Sequence, residues 1–210
     1  MYLFFKRTFD LVFSFLALLV FSPIFMVAAI IIKLNSEGPV IYKGERTSKD
    51  DGIFNLYKFR TMVVDAEDKG GYSTALDDPR LTSVGRFLRK YKLDEIPQFI
   101  NVLFGDMSLV GPRPQVKYYT NQYKGDDLLI LKVKPGITDL ATLYFSDMDS
   151  VLGKKNVDDK YAKEIEPQKN LLRLQYVKKR SFILDLRILI ATILRFIGAK
   201  GVSSFHKDIK

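Results

Sequence analysis

The hydrophobic pattern divides the chain at about residue 34. From Leu11 to Ile32, "LVFSFLALLVFSPIFMVAAIII" contains no charged residue, and no later stretch matches it. A straight helix over this run rises about 33 Å at ~1.5 Å per residue, enough to cross the hydrocarbon core of a bilayer. No small-residue cleavage site follows a short apolar run, so the segment reads as retained rather than as a signal peptide. Ser22 and Pro23 fall at its middle. There proline removes a helical hydrogen bond and bends the axis, and a neighbouring serine can satisfy the freed carbonyl. Lys6 and Arg7 precede the run while Lys33 and Lys43 follow it, so the positive-inside rule places both ends in the cytoplasm. A re-entrant helix–break–helix hairpin over residues 1–34 meets both observations. A bitopic helix with a proline kink is the alternative that the residues leave open.

Beyond residue 34 the periodicity changes. "VIYKGER" and "IFNLYKFRTM" have strand character and flank the polar turn "SKDDG", which predicts a β-hairpin. "DKGGYSTALDDPRLTS" reads as a long loop. From Val84 to Phe104, Phe87, Leu88, Tyr91, Ile96, Phe99, Ile100 and Leu103 recur at helical spacing, with Pro97 in the first turn of a new helix and Asp94 as its cap. "LKVKPGITDLATLYF" reads as a short extended segment with a turn at Pro135 and Gly136, and "GKKNVDDKYAKEIEPQKNLLRLQYVKK" as helical and solvent-facing. "SFILDLRILIATILRFIGAK" is an apolar stretch with Lys178, Ser181, Asp185, Thr192 and Arg195 roughly on one face and Arg187 on the other, suited to the lipid interface or to the core. The fold class expected is α+β: a membrane-associated hairpin plus one small, mostly helical domain over residues 35–210, with a short β-hairpin and interfacial amphipathic helices.

Charge adds a partner class. The 33 Lys and Arg exceed the 24 Asp and Glu by 9, and such a field concentrates anionic lipid, nucleic acid or phosphorylated substrates. No nucleic-acid motif occurs, and the arginines gather about a carboxylate pair instead of forming a basic stripe, so nucleic acid is not expected. The absence of Cys excludes thiolate nucleophiles, disulfides and sulfur-held zinc. His206 lies in a polar tail and is given no role.

The candidate chemistry centres on "KLDEIPQF". Asp94 and Glu95 are adjacent, so on a helix they diverge by about 100° and serve different roles. One reading makes Asp94 a helix cap and Glu95 a complement to the helix dipole. The other makes the pair reactive. Arg80, Arg86, Arg89, Lys90 and Lys92 precede it, and Arg113 follows between Pro112 and Pro114, whose rings restrict its backbone. Guanidinium groups held this way suit bidentate phosphate recognition. A carboxylate attacks phosphorus when arginine, lysine or Mg²⁺ neutralises the charge, and Asp94 and Glu95 are the candidate metal ligands, with Asp106 read instead as a turn residue.

Together, "KRTFDLVFS", the Ser22–Pro23 pair, "GPVIYKGER", "YKFRTM", "DPRLTSVGRFLRKYKLDEIPQFINVLFGDMSLVGPRP" and "KPGITD" resemble the bacterial sugar transferase family, the monotopic polyprenyl-phosphate phosphoglycosyl transferases, over nearly the whole chain. The resemblance implies a re-entrant membrane helix broken at Ser22 and Pro23, on the cytoplasmic face of a bacterial inner membrane. It also implies that Asp94 attacks the β-phosphate of a UDP-sugar, releasing UMP, and that undecaprenyl or another polyprenyl phosphate then takes up the phosphosugar. Mg²⁺ near the dyad, assistance from Glu95, and phosphate contacts by Arg89 and Arg113 follow from the same resemblance. The match begins almost at Met1, as in a minimal catalytic form, and a homo-oligomer is left open. One departure stands out: many members read "KPGITGWAQV" where this chain has "KPGITDLATL", with Asp139 and Leu140 replacing Gly and Trp. The rival readings are a membrane-attached glycosyltransferase releasing UDP and a non-enzymatic basic lipid-binding module.

Overall fold

A computed structural model describes residues 1–66, 78–145 and 161–198. Most of the long loop expected before Thr82, the start of the segment from Gly153 and the tail carrying His206 lie outside them. The first element, α1, runs unbroken over Tyr2–Asn35, with Pro23 inside it. Pro23 withholds the N–H that Leu19 would accept, and the Ser22 hydroxyl donates to the Leu19 carbonyl at 2.8 Å in its place. That local repair lets the helix continue through the proline, so a separate second arm of a hairpin is not distinguished.

One stripe of α1 lies against the rest of the molecule along its whole length. Near its start, Lys6 donates to Asp185 and to the Val110 carbonyl, both at 2.8 Å. Arg7 takes the Val102 and Leu103 carbonyls at 2.6 and 3.0 Å, and Asp10 accepts from the Ser108 hydroxyl and the Leu109 N–H. Midway, Phe21 stacks over Phe99 and Phe25 meets Phe59 edge-on. At its end, Ala28 and Ile32 pack with Phe59, Leu88 and Ile96, while Arg60 donates to the Ser36 carbonyl at 2.7 Å. The opposite face, including Phe15, Leu19, Val20, Met26, Val27 and Ile30, is exposed and apolar.

The expected hairpin is present: β1 (Ile41–Thr47) pairs antiparallel with β2 (Ile53–Phe59), Gly44 opposite Leu56. Thr82 caps α2 (Ser83–Lys90) by accepting from the Gly85 N–H. A single 3-10 turn, Leu93–Glu95, leads through Pro97 into α3 (Gln98–Phe104). The sequence suggests Asp94 as the cap of that helix, and the structure shows that it is not. The backbone is already helical at Ile96 and Pro97, so the cap position of α3 falls on Pro97, three residues past Asp94, and no side chain caps the helix. β3 (Ser108–Val110) pairs parallel with β4 (Gly136–Thr138) across the short α4 (Lys117–Thr120) and a 3-10 segment, Gly125–Lys132.

Two corrections concern the carboxyl-terminal third, and its last helix takes an orientation that the sequence left open. "LATLY" is not extended but forms α5 (Leu140–Tyr144), because Asp139 caps it on the Thr142 N–H. After a π-helical turn, Tyr161–Ile165, α6 (Glu166–Lys179) is not simply solvent-facing: it buries Arg173, Leu174 and Tyr176. The last helix, α7 (Phe182–Phe196), turns Asp185, Thr192 and Arg195 inward and leaves Arg187 exposed. Asp185 meets Lys6, Tyr2 and Tyr176, Thr192 meets Thr138, and Arg195 caps the Leu143 carbonyl, while Ile183, Leu186, Ile190 and Ile193 stay exposed. An outer face that is aliphatic apart from one long arginine suits a helix lying at the lipid interface.

The main core joins Phe54 and Leu56 of β2, Val102 of α3, Met107 to Val110, Leu140 and Leu143 of α5, Tyr176 of α6, and Leu184 and Ile188 of α7. The turn that carries the carboxylate pair is anchored in a second cluster, where Leu93 and Ile96 pack with Ala28, Ile32, Phe59 and Leu88.

Candidate active site

The carboxylate pair sits where three elements converge. Lys92, in left-handed backbone at φ 55°, reverses the chain after α2 and starts the turn that holds Asp94 and Glu95. The chain is fixed to β2 by Asn101, fully buried, which accepts from the Tyr57 N–H at 2.9 Å and donates to the Asn55 carbonyl at 2.7 Å. Asn101 also donates to Asp106, so Asp106 serves the turn after α3. Sequence spacing places the dyad on a helix. What it does not place beside the dyad is Lys58, which reaches from β2 to Glu95 at 3.1 Å.

The two carboxylates have opposite environments. Glu95 forms ion pairs with Lys58 and with Arg113, whose guanidinium also donates to the Ile137 carbonyl at 2.9 Å. Burial pushes the Glu95 carboxyl up, but Arg113 and Lys58 outweigh it and hold the group well below the ordinary carboxylate range. Asp94 is buried at 5% exposure, and its Oδ1 has no hydrogen-bond partner among the described residues. Desolvation raises its carboxyl above the ordinary value; Lys58, Arg89 and Lys92 pull it back, and the charge of Glu95 pushes it further up. Lys58 is lowered by burial, against the pull of both carboxylates. One carboxylate is thus charge-neutralised and the other left with a free oxygen. Gln98, in the next turn, also has both amide atoms buried without a partner among the described residues, a signal that spacing alone does not carry.

Arg113 pairs with Glu95, and Arg113 and Arg89 both lie near enough to Asp94 for their charges to interact with its carboxylate; Pro112 and Pro114 flank Arg113 in the chain. Arg80 is engaged differently: its guanidinium grips Asp78 with Nε at 2.9 Å and Nη2 at 2.7 Å, and reaches the Ala66 carbonyl. Arg86 lies exposed on α2. Ser22 and Pro23 lie in mid-α1. No three acidic, His or Cys side chains come together as a ready-made metal cage among the described residues. The dyad nevertheless fits a hard cation of the Mg²⁺ type, which takes one or two carboxylates and completes its shell with water and substrate phosphate.

A buried acid pair beside arginine and lysine, with an apolar helix along one side, suits a site for an anionic substrate at a membrane surface. The chain belongs to the bacterial sugar transferase family, which matches residues 1–199. It is 40% identical over 194 residues to a Klebsiella pneumoniae protein named UDP-glucose:undecaprenyl-phosphate glucose-1-phosphate transferase, covering 91% of this chain and 40% of that one. It is 36% identical over 208 residues to an Aeromonas hydrophila UDP-N-acetylgalactosamine-undecaprenyl-phosphate N-acetylgalactosaminephosphotransferase, covering 95% of this chain and 46% of the relative. An uncharacterized sugar transferase of Bacillus subtilis is 36% identical over 197 residues, 94% of this chain and 89% of that one. The chain therefore spans less than half the length of the two relatives named for a substrate.

Proposed function

We propose that this protein transfers a sugar-1-phosphate from a UDP-sugar to undecaprenyl or another polyprenyl phosphate, releasing UMP, with Asp94 as covalent nucleophile. The observation that carries the reading is the contrast within the dyad: Glu95 is locked by Lys58 and Arg113, while Asp94 keeps an unpartnered oxygen beside them. The names of the Klebsiella and Aeromonas relatives support the substrate class.

In the first half-reaction a carboxylate oxygen of Asp94 attacks the β-phosphorus of the UDP-sugar. An acyl–phosphate bond forms, the bond from that phosphorus to the bridging oxygen breaks, and UMP departs with the oxygen. In the second, an oxygen of the lipid phosphate attacks the same phosphorus and Asp94 is regenerated, leaving a polyprenyl-diphosphate-sugar. Arg113 and Arg89 bind the diphosphate and spread the negative charge that gathers on the leaving UMP. Glu95 orients Arg113 and Lys58, which keeps two cations at a fixed place facing an anionic substrate. Asp94 and Glu95 would hold Mg²⁺, which would supply further charge neutralisation at the diphosphate.

Residues 1–34 act as the membrane anchor and residues 35–210 as the catalytic domain. Supporting a re-entrant path, the two ends of α1 bond to the same domain, Lys6 and Arg7 at one and Ser36 at the other, while its outer face is apolar. The exposed aliphatic residues of α7 add a second lipid-facing surface. This holds the site at headgroup level on the cytoplasmic face of the inner membrane, where the lipid phosphate lies.

Incubation with the UDP-sugar but no lipid acceptor, followed by mass spectrometry, tests the covalent step. A sugar-phosphate mass gain on the peptide containing Asp94, missing from Asp94→Asn, is expected. No adduct on a protein that still turns over would sink it in favour of direct transfer.

A further inference from the structure

The one motif that departs from the family pattern, Asp139 in "KPGITDLATL", lies against the arginine of the site. Asp139 is fully buried. One carboxylate oxygen accepts the Thr142 N–H at 2.6 Å and caps α5. The other accepts the Arg113 N–H at 3.0 Å. Between Pro112 and Pro114, neither of which has an N–H, that of Arg113 is the single main-chain donor the turn possesses. Asp139 takes it.

From the far side Arg173 faces the same carboxylate, its Nε 3.9 Å from the oxygen that holds Arg113. Arg173 is 1% exposed; its Nη1 bonds Glu166 and Asn170, each at 2.7 Å, and Tyr123 at 3.2 Å. A buried row of alternating charge therefore runs from Glu166 through Arg173, Asp139 and Arg113 to Glu95. A lone buried carboxylate would be expensive to keep ionised, and Arg173 supplies the counter-charge that makes it tolerable. Capping alone needs one oxygen, which serine also provides. The second oxygen is committed to Arg113.

We propose that Asp139 is a positioning residue for Arg113: through the main chain of the Pro112–Arg113–Pro114 turn it fixes where the guanidinium meets the diphosphate of the nucleotide sugar. The consequence for catalysis rests on the transferase reading above; the structural part does not. A side chain displaced by about 1 Å from its productive place loses on the order of 100-fold in rate, so release of this tether has a measurable effect.

Asp139→Ser keeps the cap of α5 and drops the hold on Arg113, which avoids the folding risk of removing both. Two measurements on the full-length protein in nanodiscs test the assignment. The first is amide hydrogen exchange: the Arg113 N–H exchanges faster in Asp139→Ser, while the α5 amides stay protected. The second is kcat/KM for the UDP-sugar in a double-mutant cycle with Arg113→Ala. Asp139→Ser alone loses 10-fold or more, and loses little further once Arg113 is already absent, a coupling that a merely structural role would not give. Unchanged exchange at Arg113 overturns the tether. A multiplicative loss in the Arg113→Ala background, or wild-type kcat/KM in Asp139→Ser, overturns its role in catalysis. A wild-type protein that turns over no UDP-sugar defeats the transferase reading instead, and exchange then decides the tether by itself.

Discussion

Replacing Gly85 by alanine sets two opposing effects against each other. Gly85 lies in α2, where alanine ordinarily stabilises a helix by about 1 kcal/mol over glycine. Here the helix crosses the backbone leaving β2: the Thr82 N–H donates to the Thr61 carbonyl at 3.0 Å, and the Thr82 hydroxyl accepts from Gly85. A Cβ on Gly85 would stand 2.6 Å from the Thr61 Cα, 0.8 Å inside the 3.4 Å at which ordinary contact begins, and closer still to the Thr61 carbonyl. The obstruction is main chain and cannot rotate away. Overpacking of this kind costs about 1–3 kcal/mol, which outweighs the propensity gain. The only relief is movement of α2, which carries Arg89 and leads through Lys92 into the dyad. A shift of about 1 Å there lowers turnover on the order of 100-fold. The assay is UMP release together with thermal unfolding in detergent, with Gly52→Ala as control, since its Cβ would meet nothing nearer than 3.5 Å. Gly85→Ala is expected to be less stable and slow while the control stays normal. A Gly85→Ala protein that is more stable than wild type and fully active would refute the argument.

Two further predictions rest on charge. Attack needs Asp94 as carboxylate, and burial raises that carboxyl, so kcat/KM falls as pH drops through a value above the ordinary 3.8. Glu95→Gln removes the neighbouring negative charge and moves this acid limb to lower pH; a pH–rate profile with the limb unmoved or raised would contradict it. The anchor is tested by single cysteines at Leu3 and Glu37, both exposed, in a chain with no Cys of its own. A membrane-impermeant thiol reagent is expected to label both from the cytoplasmic face of inverted vesicles, whereas labelling from opposite faces would mean a bitopic helix.

The β-hairpin was legible because alternation and a polar turn are local signals, and the apolar run because composition alone marks it. The dyad was visible as chemistry, but half of its surroundings were not. Lys58 lies 37 positions before Glu95 and meets it only because β2 packs against the turn that carries the dyad. Asp139 caps a helix only five residues long, too short for periodicity to declare, which is why the stretch reads as extended in the sequence. In α7 the spacing separated polar from apolar residues without saying which side faces inward. Water makes the usual choice for a helix, and here Asp185, Thr192 and Arg195 take the other one. At Pro23 the sequence predicts a break, and the Ser22 hydroxyl bridges it locally, so the helix runs on.

The most direct test of the central claim is the identity of the nucleotide released by purified enzyme given Mg²⁺, undecaprenyl phosphate and a panel of UDP-sugars, wild type beside Asp94→Asn. The account predicts UMP from wild type and none from Asp94→Asn; release of UDP, or equal UMP from both proteins, would contradict it.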